Sequence, residues 1–142
     1  KEEVSITLEN QVLTIHGENF STLNEFYDEI ERVLIPGVPW GRNLDAFHDL
    51  LRGGFGTPVG GFVLVWQRSD LSRKRLGHAE AASQLQARLD RCHPTARPSV
   101  AAQLELARSG SGPTVFDWLV QIIREHGPGG PESADGVELI LN

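Results

Sequence analysis

The sequence predicts a single-domain α/β protein in which helices connect the strands of a parallel sheet. Its 142 residues, 39% of them hydrophobic, are enough to bury one core and too few for two comfortable domains. A continuous apolar run at residues 61–66, bounded by glycines on one side, is typical of a strand buried on both faces. Segments with helical periodicity precede and follow it along the chain, which favours helical crossovers.

The first predicted strand is short. A β-prone run covers residues 12–15, and the alternating segment 4–8 could pair with it as a hairpin through a turn at 9–11.

A helix is predicted next. Ser21 or Thr22 can cap it, and Glu25 is placed to complete a capping box with Thr22. Pro36 and Gly37 end it. Its apolar residues follow the spacing of one helical face: Leu23, Phe26, Tyr27, Ile30, Val33 and Leu34.

A second helix is predicted to start at Asn43, whose side chain can accept a hydrogen bond from the first turn. Gly53 and Gly54 supply its end. The face predicted to point inward consists of Leu44, Phe47, Leu50 and Leu51. The face predicted to point outward consists of Asp45, His48, Asp49 and Arg52.

The rest of the chain contains a helical segment, a buried helix and a closing strand. Residues 77–112 form two modest amphipathic helices joined at 93–98, and we expect them to be a peripheral helical insertion. A helix at 114–126 is apolar nearly all round and should be largely buried. The loop 127–131 then leads to a strand at 137–141.

Charge is distributed unevenly. The net charge of −6 is made up of −7 in residues 1–50, +5 in 51–112 and −4 in 113–142. An acidic surface repels nucleic acid and steers toward a basic partner. We therefore expect a basic protein partner and no nucleic acid.

Composition also bears on the cell compartment. The single cysteine, Cys92, cannot form an internal disulfide, which favours a cytoplasmic protein. The adjacent His93 is poorly placed to act as its catalytic base. The lack of a long apolar run or secretory signal predicts a protein that is not in the membrane. Because the chain contains no methionine, we expect its native start to have been trimmed.

Familiar catalytic and cofactor motifs do not occur in the sequence. The glycine-rich segment 52–56 lacks the lysine and the preceding strand of a phosphate-binding loop. The basic cluster at 68–75 has no interleaved aromatic residues, so a solvated helix face is favoured over a phosphate-binding surface. We predict a protein without enzymatic activity and without a cofactor.

The most informative feature is the pair Asp45 and Asp49, one turn apart on the outward face of the second helix. Like charges at this spacing repel each other and destabilise the helix unless an external cation compensates them. On spacing alone, a solvated helix face is the favoured interpretation. A divalent metal held by Asp45, His48 and Asp49 for hydrolysis is an alternative, although it needs a further ligand from elsewhere.

Around this helix the sequence resembles the barstar family, the intracellular inhibitors of guanyl-type ribonucleases. The segment 40–53, Trp-Gly-Arg-Asn-Leu-Asp-Ala-Phe-His-Asp-Leu-Leu-Arg-Gly, is similar to the family's most specific motif. The strand at 62–66, the helix segment 120–125 and the strand 137–141 give further similarity.

The resemblance implies a three-stranded parallel sheet packed by helices, with the second helix plugging a ribonuclease active site. It implies that Asp49 takes the place of a substrate phosphate, that Asp45 is its neighbour, and that Glu125 is an acid contributed by the last helix. The partner-binding residues it implies are Trp40, Gly41, Asn43, Asp45, His48, Asp49, Arg52, Gly53 and Glu125.

Some positions depart from the family pattern. Arg42 replaces an acid, His48 an exposed aromatic residue, and Arg52 a small polar residue. We therefore expect a one-to-one inhibitor of a basic, extracellular-type guanyl-specific ribonuclease whose surface differs from that of the best-known target. The alternatives are an immunity or antitoxin protein against another toxin, and the metal-dependent hydrolase.

Overall fold

A computed structural model describes residues 11–58 and 60–142. Three strands form one parallel sheet in the order β1 (Val12–His16), β2 (Phe62–Gln67) and β3 (Val137–Leu141). Val12 aligns with Val63, and Phe62 aligns with Val137. The predicted three-stranded parallel sheet is therefore confirmed.

Six α-helices connect these strands within the described residues. The first two lie between β1 and β2, and the other four lie between β2 and β3. They are α1 (Leu23–Leu34), α2 (Leu44–Arg52), α3 (Ser69–Arg75), α4 (His78–Arg91), α5 (Arg97–Arg108) and α6 (Val115–Glu125). None of the helices in the described part of the chain is long and apolar enough to cross a bilayer.

The hairpin expected at the start of the chain is not tested, because segment 4–8 lies outside the described residues. Within the described residues, strand β1 pairs with β2, about 50 residues further along the chain. Burial of β2 is less symmetrical than expected, since Phe62, Leu64 and Trp66 are buried whereas the intervening valines are half-buried.

The capping residues predicted for the helices at the site are confirmed. Thr22 caps α1, since its hydroxyl accepts from the backbone N–H of Glu25 at 3.1 Å. The carboxylate of Glu25 reaches back to the N–H of Ser21, one residue before the cap, so the predicted capping box is shifted at that end. Asn43 caps α2, accepting from the N–H of Ala46 at 2.7 Å.

An aromatic cluster around Trp66 holds the sheet and helices together. The Trp66 ring centroid lies 5.9 Å from that of Phe20, 5.5 Å from Phe26 and 5.1 Å from Phe116. Its indole N–H donates to the buried hydroxyl of Ser72 at 2.9 Å. Burying this ring therefore leaves no unpaired donor.

Segment 77–112 forms the two predicted helices, α4 and α5. They are joined by a short 3-10 turn at Pro94–Ala96 and pack against each other. The two ends of the segment meet, since the ring Nε2 of His78 lies 2.9 Å from the carbonyl oxygen of Gly112. Ala81 and Leu85 of α4 are buried. Its classification as a peripheral insertion stays a prediction.

Candidate functional site

The candidate site is centred on α2, and local sequence explains how that helix is held. Phe47, Leu50 and Leu51 are buried and fix the inner face of the helix to the core. Gly53, with φ of +99°, ends the helix in a backbone conformation that favours glycine. The opposite face is therefore presented at the surface in a fixed orientation.

Asp45, Asp49 and Arg52 are exposed on this face, as predicted. Arg52 pairs with two acids at once. Its Nη1 lies 2.6 Å from Asp49 Oδ1, and its Nε and Nη2 donate to the two oxygens of Glu132 at 2.7 and 3.1 Å. Glu132 belongs to the loop after α6, so Arg52 ties α2 to that loop.

The pairing of Arg52 with Glu132 shifts the pKa of both groups. Hydrogen bonding to Arg52 holds the pKa of Glu132 below its usual range, and the two acids raise the pKa of Arg52 further above its own. Arg52 and Asp49 are exposed and Glu132 is half-buried, so the pairs are readily exchanged for contacts with another molecule.

The expectation that His48 points to solvent is wrong. Its side chain is 22% exposed, and its Nδ1 lies 2.8 Å from Nε2 of His126. His126 is fully buried, and its Nδ1 lies 2.7 Å from a carboxylate oxygen of Asp135. The other nitrogen of His48, Nε2, is 3.8 Å from Glu125 Oε1. His48 therefore packs inward against the end of α6 and the loop that follows.

Glu125 lies at the C-terminal end of α6, partly exposed and next to His48. The structure thus brings Glu125 close to α2, and its role in partner binding stays a prediction. Glu132 and Asp135 join the same cluster, although no motif or helical spacing points to either of them. Both lie in a loop rich in glycine and proline, and only tertiary packing sets them against α2.

The loop before α2 is held by the acidic face of α1. The Trp40 indole N–H donates to Glu31 at 3.2 Å, and the Trp40 ring packs edge-on against Tyr27. Arg42 adopts a left-handed conformation, with φ of +53°, and bonds Asp28 at 2.8 Å. Trp40 and Arg42 therefore already form hydrogen bonds within the chain.

Two further details describe this loop. Position 41 leaves little room for a side chain, because a Cβ there would lie 3.0 Å from the Ala46 methyl group. Burial raises the pKa of Tyr27 to about 12, despite the opposing effects of Arg42 and of Arg88 from α4. Arg88 therefore lies close to the N-terminal end of the site, so α4 contributes positive charge there.

The candidate metal ligands differ from those expected. Within residues 11–58 and 60–142, Asp45, His48 and Asp49 do not form a group able to hold an ion together. The group that does is His48, His126 and Glu132, whose ligand atoms all lie within 4.8 Å of one another.

Comparison with known families identifies the chain's relatives. The model of the Barstar family, described as barnase inhibitor, matches residues 10–117. The chain belongs to the barstar family. The match covers β1, the capped α2 and β2 and ends within α6, so Glu125 and Glu132 of this barstar-family protein lie beyond it. No curated protein matches the chain significantly. Family membership suggests a barnase-type inhibitor or an immunity-like function.

Proposed function

We propose that this barstar-family protein inhibits a basic, extracellular-type guanyl-specific ribonuclease by placing the acidic face of α2 in the enzyme's active site. The observation that carries the proposal is the exposed pair Asp45 and Asp49 on a helix whose opposite face is anchored in the core. A ribonuclease active site is built to bind phosphate, and a rigidly held carboxylate can offer its cationic groups a similar charge.

Two further acids add negative charge to the same face. Glu125 and Glu132 lie beside α2, so the partner would meet negative charge from α2, from α6 and from the loop after it. At the N-terminal end of α2, the proposed contact residues are Trp40, Gly41 and Asn43. At its C-terminal end we propose Arg52 and Gly53. His48 lies between the two acids in sequence and contributes the exposed edge of its ring.

Arg52 lowers the negative charge of the proposed binding face in the free protein. In the free protein it neutralises part of the charge on Asp49 and on Glu132. An arginine of the ribonuclease that reached Asp49 would compete with Arg52, while Glu132 would keep Arg52 paired. The exchange leaves no charge unpaired, which is the condition for a favourable interfacial ion pair.

A second candidate, supported by other residues, is an immunity or antitoxin protein for a different toxin. Arg88 of α4 adds positive charge near the N-terminal end of α2, where a partner with an acidic patch would fit. Both candidates use binding alone and involve no chemistry on the partner.

The test is to titrate the protein into cleavage assays of several guanyl-specific ribonucleases. We expect full inhibition of at least one enzyme at one protein per enzyme, with no RNA cleavage by the protein itself. If none of these enzymes is inhibited, the proposed target class is wrong. Inhibition of an unrelated toxin would then favour the second candidate.

A further inference from the structure

We propose that His48, His126 and Glu132 form a zinc site that links α2 to the loop after α6. Two imidazole nitrogens and one carboxylate are a ligand set that zinc uses when it keeps a fourth position for water. The three side chains come from different parts of the chain, and their ligand atoms already lie within 4.8 Å of one another. The proposal concerns the isolated protein and does not depend on the proposed inhibition.

His126 is prepared as a ligand by its surroundings. Its Nδ1 lies 2.7 Å from the carboxylate of Asp135, which can only accept a hydrogen bond when ionised. The ring proton of neutral His126 is therefore on Nδ1, and Nε2 is left with a lone pair directed at His48. A carboxylate behind a ligand histidine is the usual outer arrangement of zinc sites. Because His126 is fully buried, this orientation is fixed.

His48 can complete the pair by a change of tautomer. With neutral His126 protonated on Nδ1, the 2.8 Å contact between His48 Nδ1 and His126 Nε2 is a hydrogen bond donated by His48. Moving that proton to Nε2 frees Nδ1 for the metal and turns the N–H toward Glu125, 3.8 Å away. Tetrahedral zinc with bonds of about 2.0–2.1 Å needs the two nitrogens about 3.3 Å apart. His48 is partly exposed and lies on a surface helix, so a shift of this size requires no rearrangement of the core.

Glu132 is the third ligand, and it also pairs with Arg52. Both of its oxygens now accept from Arg52, so zinc and Arg52 compete for the same carboxylate. The competition gives the site a distinctive property, since removing Arg52 should strengthen zinc binding, although Arg52 is not a ligand.

The experiment is calorimetric titration of the chelator-treated protein with zinc chloride. We expect one zinc per chain and a rise in unfolding temperature on adding zinc, because a ligand bound by the folded state stabilises it. Cobalt chloride should give the visible absorption of a four-coordinate site. Magnesium chloride should not bind there, because Mg²⁺ prefers oxygen ligands.

Variants locate the site. His48→Gln and Glu132→Gln should each weaken zinc binding by about tenfold or more, and Asp135→Asn should weaken it by roughly 10–100-fold. Arg52→Gln should tighten it. The matched control is His93→Gln, which removes an exposed histidine on the connection between α4 and α5. The circular dichroism spectrum of each variant shows whether it is folded.

Three results would overturn the proposal. The first is no zinc binding up to about millimolar concentration. The second is unchanged binding in folded His48→Gln and Glu132→Gln. The third is equal weakening by His93→Gln, which would indicate that zinc binds scattered surface histidines instead.

Discussion

At the scale of single residues, Asp49 is expected to dominate binding to the partner. It lies mid-helix, where the helix N-terminus stabilises its charge least, and its side chain is 56% exposed. Asp49→Ala should weaken inhibition of a target ribonuclease by more than about 2 kcal/mol, a general hot-spot threshold whose measured examples include an aspartate of barstar itself. Part of this cost is the partner's cation left desolvated and unpaired.

Inhibition constants of the variant and of Glu105→Ala, an exposed acid on α5, would measure the effect. Sequence alone predicts that Asp49→Ala keeps its fold or is slightly stabilised, since the variant relieves repulsion from Asp45. The structure adds an opposing effect on stability, because the variant also loses the Arg52 pair. Full inhibition by the variant, or its failure to fold, would place the binding face elsewhere.

Residues whose roles are set by near neighbours could be predicted from sequence. The sequence predicts Asn43 as one cap and either Ser21 or Thr22 as the other, because a cap depends only on the residues three positions on. Exposure of Asp45 and Asp49 followed from helical spacing in the same way. Local pattern therefore predicted most of α2.

Residues whose roles depend on distant parts of the chain could not be predicted. His126 has no partner at helical spacing, yet it meets His48, 78 residues away. Helical spacing assigns no role to Glu29 of α1, yet it is buried and accepts from the backbone N–H of His16 and from Asn19 and Arg32. Such contacts exist only after the sheet has formed, so spacing within one helix carries no trace of them.

At the scale of elements, Arg52 and Glu132 join α2 to the loop after α6. Because Arg52 lowers the pKa of Glu132, the folded state favours the carboxylate over the acid. This contribution to stability is present above the usual glutamate range and is lost as the pH falls through the lowered pKa. Arg52→Gln should therefore reduce stability near neutral pH and make little difference in acid through this pair.

Urea unfolding of the parent and of Arg52→Gln across a pH series would measure this. Arg124→Gln, an exposed arginine of α6, is the control for removing one positive charge. A stability difference between parent and Arg52→Gln that stayed the same into strong acid would argue against the pair as its cause.

At the scale of the whole molecule, the first question is whether segment 77–112 is needed for folding. Its ends meet at His78 and Gly112, and the Phe116 N–H donates to the carbonyl of Leu76 across its base. We therefore expect that a short linker can replace it without moving α3 or α6. The aromatic cluster around Trp66 contains no residue of this segment, although the buried core also includes Ala81, Leu85, Val100, Leu104 and Ala107 from it.

Deleting residues 77–112 should leave a protein that unfolds cooperatively at a lower temperature. Stability falls because Leu85 no longer covers the main domain and the Leu23 N–H loses its acceptor, Glu80, the latter worth about 1 kcal/mol. Thermal unfolding followed by circular dichroism would show this. A broad, non-cooperative transition would assign the segment to the core.

Charge across the whole molecule should control how fast it meets a partner. The net charge is −6, and two arginines near α2 are already neutralised within the chain, Arg42 by Asp28 and Glu31 and Arg52 by Asp49 and Glu132. The acids of α2, α6 and the following loop therefore provide the field that a basic ribonuclease would experience as it approaches. Fields of this kind raise association rates and are screened over about 8 Å at physiological salt.

We therefore expect the association rate with a target ribonuclease to fall steeply as sodium chloride is raised, while the dissociation rate changes much less. Arg52→Gln removes a positive charge from this face, so it should speed association at low salt and steepen the salt dependence. Arg108→Gln removes the same charge from α5 and is the matched control. Stopped-flow measurement of the three proteins at low and high salt would test the idea. An association rate that did not respond to salt would show that complex formation is not steered by charge. Equal acceleration by Arg108→Gln and Arg52→Gln would show that net charge, and not the face of α2, does the steering.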